Sequence, residues 1–126
     1  MSQFTTELVV KQISKKKWKL IEGFEYHIGS YPSKEIIKVP AGFVTDFASV
    51  PRIFWRILPP LGPYKAAALI HDYLYYTGLY NKVRSDEIFL EAMKVLNVKI
   101  WKRTIMFYSV LLFGWLAWYK NRWKIK

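Results

Sequence analysis

No cysteine occurs among the 126 residues, which excludes disulfides and thiolate metal sites and suits folding in a reducing cytoplasm. Acid is scarce too: nine Asp and Glu stand against twenty Lys and Arg, for a net charge of +11. Only three aspartates (Asp46, Asp72, Asp86) and two histidines (His27, His71) are present. Two histidines are too few for a typical zinc peptidase, and no paired glutamates point to glycoside cleavage. Met1 to Thr6 lacks the basic-then-apolar pattern of a signal peptide. The longest charge-free helical stretch, Thr104 to Tyr119, falls short of the ~20 residues of a membrane span.

What is there is apolar: 52% of residues are hydrophobic and 18% aromatic, enough for a real core in one domain. Residues 1–44 read as mainly β, with apolar or alternating stretches at Leu8–Val10, Trp18–Ile21, Phe24–Ile28 and Glu35–Val39. The Lys15-Lys16-Lys17 run reads as a solvated hairpin tip. Residues 45–63 are loop-rich, since Pro51, Pro59, Pro60 and Pro63 exclude a long helix. Residues 64–126 read as mainly α in three segments. One starts at Tyr64 and stops at Gly78; one starts near Ser85 and ends at Asn97; one runs from about Lys99 to Tyr119. The third is expected to be a buried core helix, ahead of an interfacial helix with a tryptophan belt and, last, a true span. The expected fold is α+β, a small N-terminal antiparallel sheet packed against a three-helix C-terminal half, in a single domain over 1–126.

The three aspartates stand in suggestive places. Asp46 follows a predicted strand in Thr45-Asp46-Phe47-Ala48-Ser49, His71 and Asp72 sit inside an apolar helix, and Asp86 stands near a helix start. Unpaired charge beside apolar runs would be costly, so these residues are expected to share one polar site. Consecutive helix residues point about 100° apart, so His71 and Asp72 serve adjoining parts of it. Asp46 and Asp72 could hold Ca²⁺, which prefers oxygen ligands; Zn²⁺ is the weaker alternative. Asp86 could accept the other ring N–H of His71, fixing the tautomer of a general base. Taken singly, each residue is more simply structural: a satisfied His–Asp pair, a helix-start Asp86, a turn Asp46. Taken together they tip modestly toward function. Tyr75 is a candidate supporting hydroxyl, and His27 has no carboxylate motif around it.

The run Val39-Pro40-Ala41-Gly42-Phe43-Val44-Thr45-Asp46 through Ser49-Val50-Pro51, then Ala67 to Tyr75, then Arg84-Ser85-Asp86 and Phe89, resembles a phage and prophage family catalogued as domain of unknown function 1353. The same residues resemble the small bacterial and fungal phospholipases A₂, which carry an Asp-x-x-Ser loop, a His-Asp-x-x-Tyr helix and an Arg-x-Asp-x-x-Phe helix. That second resemblance implies His71 as base, Asp86 as its partner, Asp46 and Asp72 as Ca²⁺ ligands, and Ser49, Tyr75 and Arg84 in support. The chain departs from it in having no disulfides, in the bulkier Asp46-Phe47-Ala48 loop and in the N-terminal sheet.

Three functions follow in order. The first is a Ca²⁺-dependent, phospholipase A₂-like hydrolase drawn to anionic phospholipid surfaces by its charge. The second is a non-enzymatic phage structural or accessory protein, tail- or membrane-associated among virion proteins, with the polar cluster as a lock. Nucleic-acid binding ranks last, because the basic residues are dispersed and no recognition motif occurs. Synthesis in the bacterial cytoplasm, with a place peripheral to the membrane or in the virion, is the expected setting.

Overall fold

The computed structural model describes residues 4, 9–14, 17–29, 32–45 and 65–125, the last three as backbone only. The chain divides into two compact units, Met1–Asp46 and Phe47–Lys126.

In the first unit, alternation in Lys17–Leu20 sends Trp18 and Leu20 inward and Lys17 and Lys19 to solvent. This strand, β2, pairs antiparallel with β1 (Val10–Ser14) from Val10 opposite Leu20 to Ser14 opposite Lys17. The pairing thus closes at the lysine run, of which Lys15 and Lys16 lie outside the described residues. β1 begins two residues later than the apolar triplet suggests. Its side chains are mostly exposed, so backbone pairing, not hydrophobic pattern, defines it. β3 (Phe24–His27) and β4 (Ile36–Val39) form a second, two-stranded antiparallel sheet. β5 (Val44–Thr45), the strand expected just before Asp46, joins the first sheet beside Trp18 and Lys19. Gly42, at φ 93°, makes the turn into it and donates its N–H to the Leu20 carbonyl. Phe4, Phe24, Tyr26, Ile37 and Val39 are buried, with the Phe4 ring 4.7 Å from Tyr26. His27 is structural: its Nδ1 accepts the Ser33 N–H, helping to close the β3–β4 turn.

The second unit contains four described helices, where three were expected. α1 (Lys65–Thr77) ends at Gly78, whose φ of 66° suits the stop. α2 (Lys82–Val95) starts a turn earlier than Ser85, because the Asn81 side chain caps it by accepting the Arg84 N–H. At its other end Asn97 is left-handed at φ 59°, and the N–H groups of Asn97 and Val98 return to the Lys94 and Met93 carbonyls. The expected single third helix is two, α3 (Ile100–Phe113) and α4 (Trp115–Ile125), interrupted at Gly114. Glycine is needed there because a Cβ would meet the Tyr75 hydroxyl at 2.6 Å and the Val110 carbonyl. The Gly114 N–H closes the last turn of α3 on Val110 O, and the Gly114 carbonyl accepts the Trp118 N–H that opens α4.

α1 packs on α2 and α4, and α3 on α2 and α4. Leu69, Ile70, Leu74, Ile88, Phe89, Ala92, Met93, Met106 and Val110 are all buried. The expected core-helix character of α3 holds for one face only, since Tyr108, Leu112 and Phe113 are more than half exposed. Among the described residues no helix is long and apolar enough to cross a membrane.

Candidate functional site

Helical spacing builds the site from two faces that meet. On α1, His71 and Tyr75 are one turn apart on the stripe that also buries Leu74. On α2, Lys82, Asp86, Phe89 and Met93 follow i, i+4, i+7, i+11 and are all buried. Packing α1 on α2 therefore brings His71, Tyr75, Lys82 and Asp86 together, with none more than 2% exposed.

Asp86 is the hub. Its Oδ1 lies 2.6 Å from His71 Nε2 and accepts the Tyr75 hydroxyl at 2.8 Å. Its Oδ2 accepts from Lys82 Nζ at 2.7 Å. Burial alone pushes the Asp86 carboxyl up, but His71, by hydrogen bond and charge, and the hydrogen bonds of Lys82 and Tyr75 outweigh it. The carboxyl is held below the usual aspartate value of 3.8 and is ionised at neutral pH. The Tyr75 phenol is pushed well up, first by burial and then by the charge and hydrogen bond of Asp86 and the charge of Asp72, so it stays a donor.

An ionised carboxylate only accepts. His71 Nε2 must therefore carry the hydrogen, and in the neutral ring the lone pair sits on Nδ1. The ring is further held by Tyr75 and Phe89, with centroids at 4.2 and 4.6 Å.

Lys82 was missed in the sequence. A cation at the first position of its own helix opposes the dipole, but this one serves the far end of another helix. Its Nζ also donates to the Val110 and Leu111 carbonyls, at 2.8 and 3.2 Å, where α3 runs out. It lies 4.7 Å from the Trp115 ring centroid. The signal was the Asn81 cap: starting the helix there puts Lys82 on the Asp86–Phe89–Met93 stripe.

The other expected residues fall differently. Asp72 is half-buried beside His71, and its charge reaches Tyr75. Arg84 does not join the cluster: it is half-buried, its guanidinium 3.8 Å from Glu87 on its own helix. Asp86 is not a helix-start residue, since α2 begins four residues before it. Asp46 and Ser49 lie outside the described residues. Among the described residues no three or more His, Cys, Asp or Glu side chains gather to hold a metal.

An α+β chain whose helical unit is tied together by a buried His–Asp–Tyr–Lys network is the class these features define. The chain belongs to the family described as Protein of unknown function (DUF1353), which matches residues 5–110. It is 35% identical over 78 residues to the uncharacterized protein y4jT of Sinorhizobium fredii (strain NBRC 101917 / NGR234), a match covering 60% of this chain and 23% of that protein. The chain thus spans less than a quarter of the length of this curated relative. No solved structure matches it.

Proposed function

We propose that the chain is a Ca²⁺-dependent, phospholipase A₂-like ester hydrolase in which His71 is the general base. The observation that carries this is the 2.6 Å contact of His71 Nε2 with an ionised Asp86, which leaves the lone pair on Nδ1. Nδ1 takes a proton from water as the water oxygen bonds to the ester carbonyl carbon. The ester C–O bond then breaks, and the same proton passes to the leaving alcohol oxygen. Asp86 stabilises the imidazolium formed in between, and Tyr75 holds Asp86 in place.

The proposed cation belongs with Asp72. Ca²⁺ takes about six to eight oxygen ligands, so one carboxylate is not a site, and the proposal requires Asp46 with backbone or water oxygens to complete it. Bound there, the ion would stabilise the oxyanion. A phage or prophage setting and action at a membrane surface belong to the same proposal.

A specific observation favours a second reading. All four cluster residues are buried, and Lys82 neutralises Asp86 while tying α2 to the end of α3. That is what a conformational lock in a non-enzymatic structural or accessory protein would show, and hydrolysis requires an opening over the His71 ring.

The deciding experiment is hydrolysis of mixed anionic phospholipid vesicles by the wild type and by His71→Asn, with Ca²⁺ and with chelator. Calcium-dependent fatty-acid release, lost in a variant that still folds, is the expected result. Absence of release under every condition would leave the lock.

A further inference from the structure

The α3–α4 segment is two-faced, and its outer face has no counterpart in a core. Trp101, Tyr108, Leu112, Trp115, Leu116 and Tyr119 are each between 43 and 72% exposed. At about 100° per residue Trp101, Tyr108 and Leu112 fall within an arc of roughly 40° on α3, opposite the buried Met106 and Val110, and Trp115, Leu116 and Tyr119 fall within one of roughly 100° on α4. The two faces follow one another across the Gly114 break. So large an exposed apolar patch marks an interaction surface.

Charge and composition select the occupant. From residue 92 to the end, eight Lys and Arg occur and no Asp or Glu. Lys102 on α3 and Lys120 on α4 each flank one of these faces. A second copy docked face to face would set these cations against each other with no acid to answer them. An anionic bilayer answers both features: tryptophan and tyrosine sit at the head-group level, leucine dips below, and lysine meets lipid phosphate.

We propose that these faces form a monotopic docking surface for anionic lipid bilayers, lying in the head-group plane without crossing. Its inner side reaches the polar cluster: Trp115 covers Lys82, and the Trp118 ring packs edge-on against Tyr75 with centroids at 5.3 Å. Docking would therefore set α3 and α4 between the lipid and the helices that hold His71 and Asp86. The proposal rests on the lipid-directed reading above for its purpose, while its test asks for no turnover.

The test is co-sedimentation and tryptophan emission of the full chain with chelator present. The vesicles are phosphatidylcholine alone, or phosphatidylcholine mixed with phosphatidylglycerol. The wild type should bind the mixed vesicles with a blue-shifted emission and release as salt rises. Leu112→Glu/Leu116→Glu, at exposed positions, should lose about 100-fold or more in partitioning with an unchanged circular-dichroism spectrum. Lys102→Gln/Lys120→Gln should lose about fivefold per charge, on anionic vesicles only. Binding that ignores both pairs of substitutions overturns the proposal, as does no binding. So does a dimer in light scattering that Leu112→Glu/Leu116→Glu dissolves while vesicles capture nothing. If the faces bind but no ester is cleaved, the docking surface stands and the hydrolase falls.

Discussion

Lys82→Met is the sharpest probe of what holds the helical unit together. Methionine keeps most of the buried stem and removes the ammonium. Three hydrogen bonds disappear with it: one to Asp86 Oδ2 and two to the Val110 and Leu111 carbonyls. Val110 O keeps the Gly114 N–H, but Asp86 is left as a buried carboxylate braced by His71 and Tyr75 alone. Breaking a buried pair from one side costs about 3–5 kcal/mol, against about 0–1 kcal/mol for an exposed one. Since a domain is stable by only about 5–15 kcal/mol, thermal unfolding at neutral pH should fall by roughly 10–20 °C. Combined with Asp86→Asn, the loss should be smaller than the sum by about 1–3 kcal/mol, because the two changes remove one interaction. A pH dependence follows as well. Asp86 titrates lower folded than unfolded, so its contribution is present above 3.8 and is lost as pH falls through the folded value. Without Lys82 the folded value rises, so the gap between variant and wild type should be widest at neutral pH and narrow in acid. A drop of less than about 3 °C would place Lys82 among weak surface pairs and refute this account.

Two further perturbations test the same network. Tyr75→Phe deletes only the hydroxyl that donates to Asp86, and urea unfolding should show a loss of about 1.5–3 kcal/mol, the range for a hydrogen bond to a charged group. Gly114→Ala forces a Cβ onto that hydroxyl and should cost about 1–3 kcal/mol through overpacking. Adding Tyr75→Phe to Gly114→Ala should cost less than the two separately, since removing the hydroxyl relieves one of the methyl's two clashes and leaves that with the Val110 carbonyl; strict additivity would show that the two do not meet.

Local rules explain most of what could be read early. Alternation in Lys17–Leu20 and in Phe24–His27, the left-handed positions at Gly78 and Asn97, and the helical stripe from Ile88 to Met93 are each settled within a few residues. Where local signals were thin, the reading slipped. β1 is defined by its partner, and α2 took its start from Asn81 when Ser85 looked a good cap. The division at Gly114 was not legible because an isolated glycine inside an apolar helical run is tolerated.

The sequence by itself determined the α+β character and the scarcity of acid that makes each aspartate conspicuous, and it made Asp86 a candidate partner of His71. Buried polar groups must find partners, and few were on offer. Only the tertiary structure decided that Lys82 completes the cluster and that α3 and α4 bury some of their residues and expose others. The reason is physical. A lysine at a helix start becomes a core residue only when a second helix ends against it, and Val110 and Leu111 are 28 and 29 residues away in the chain.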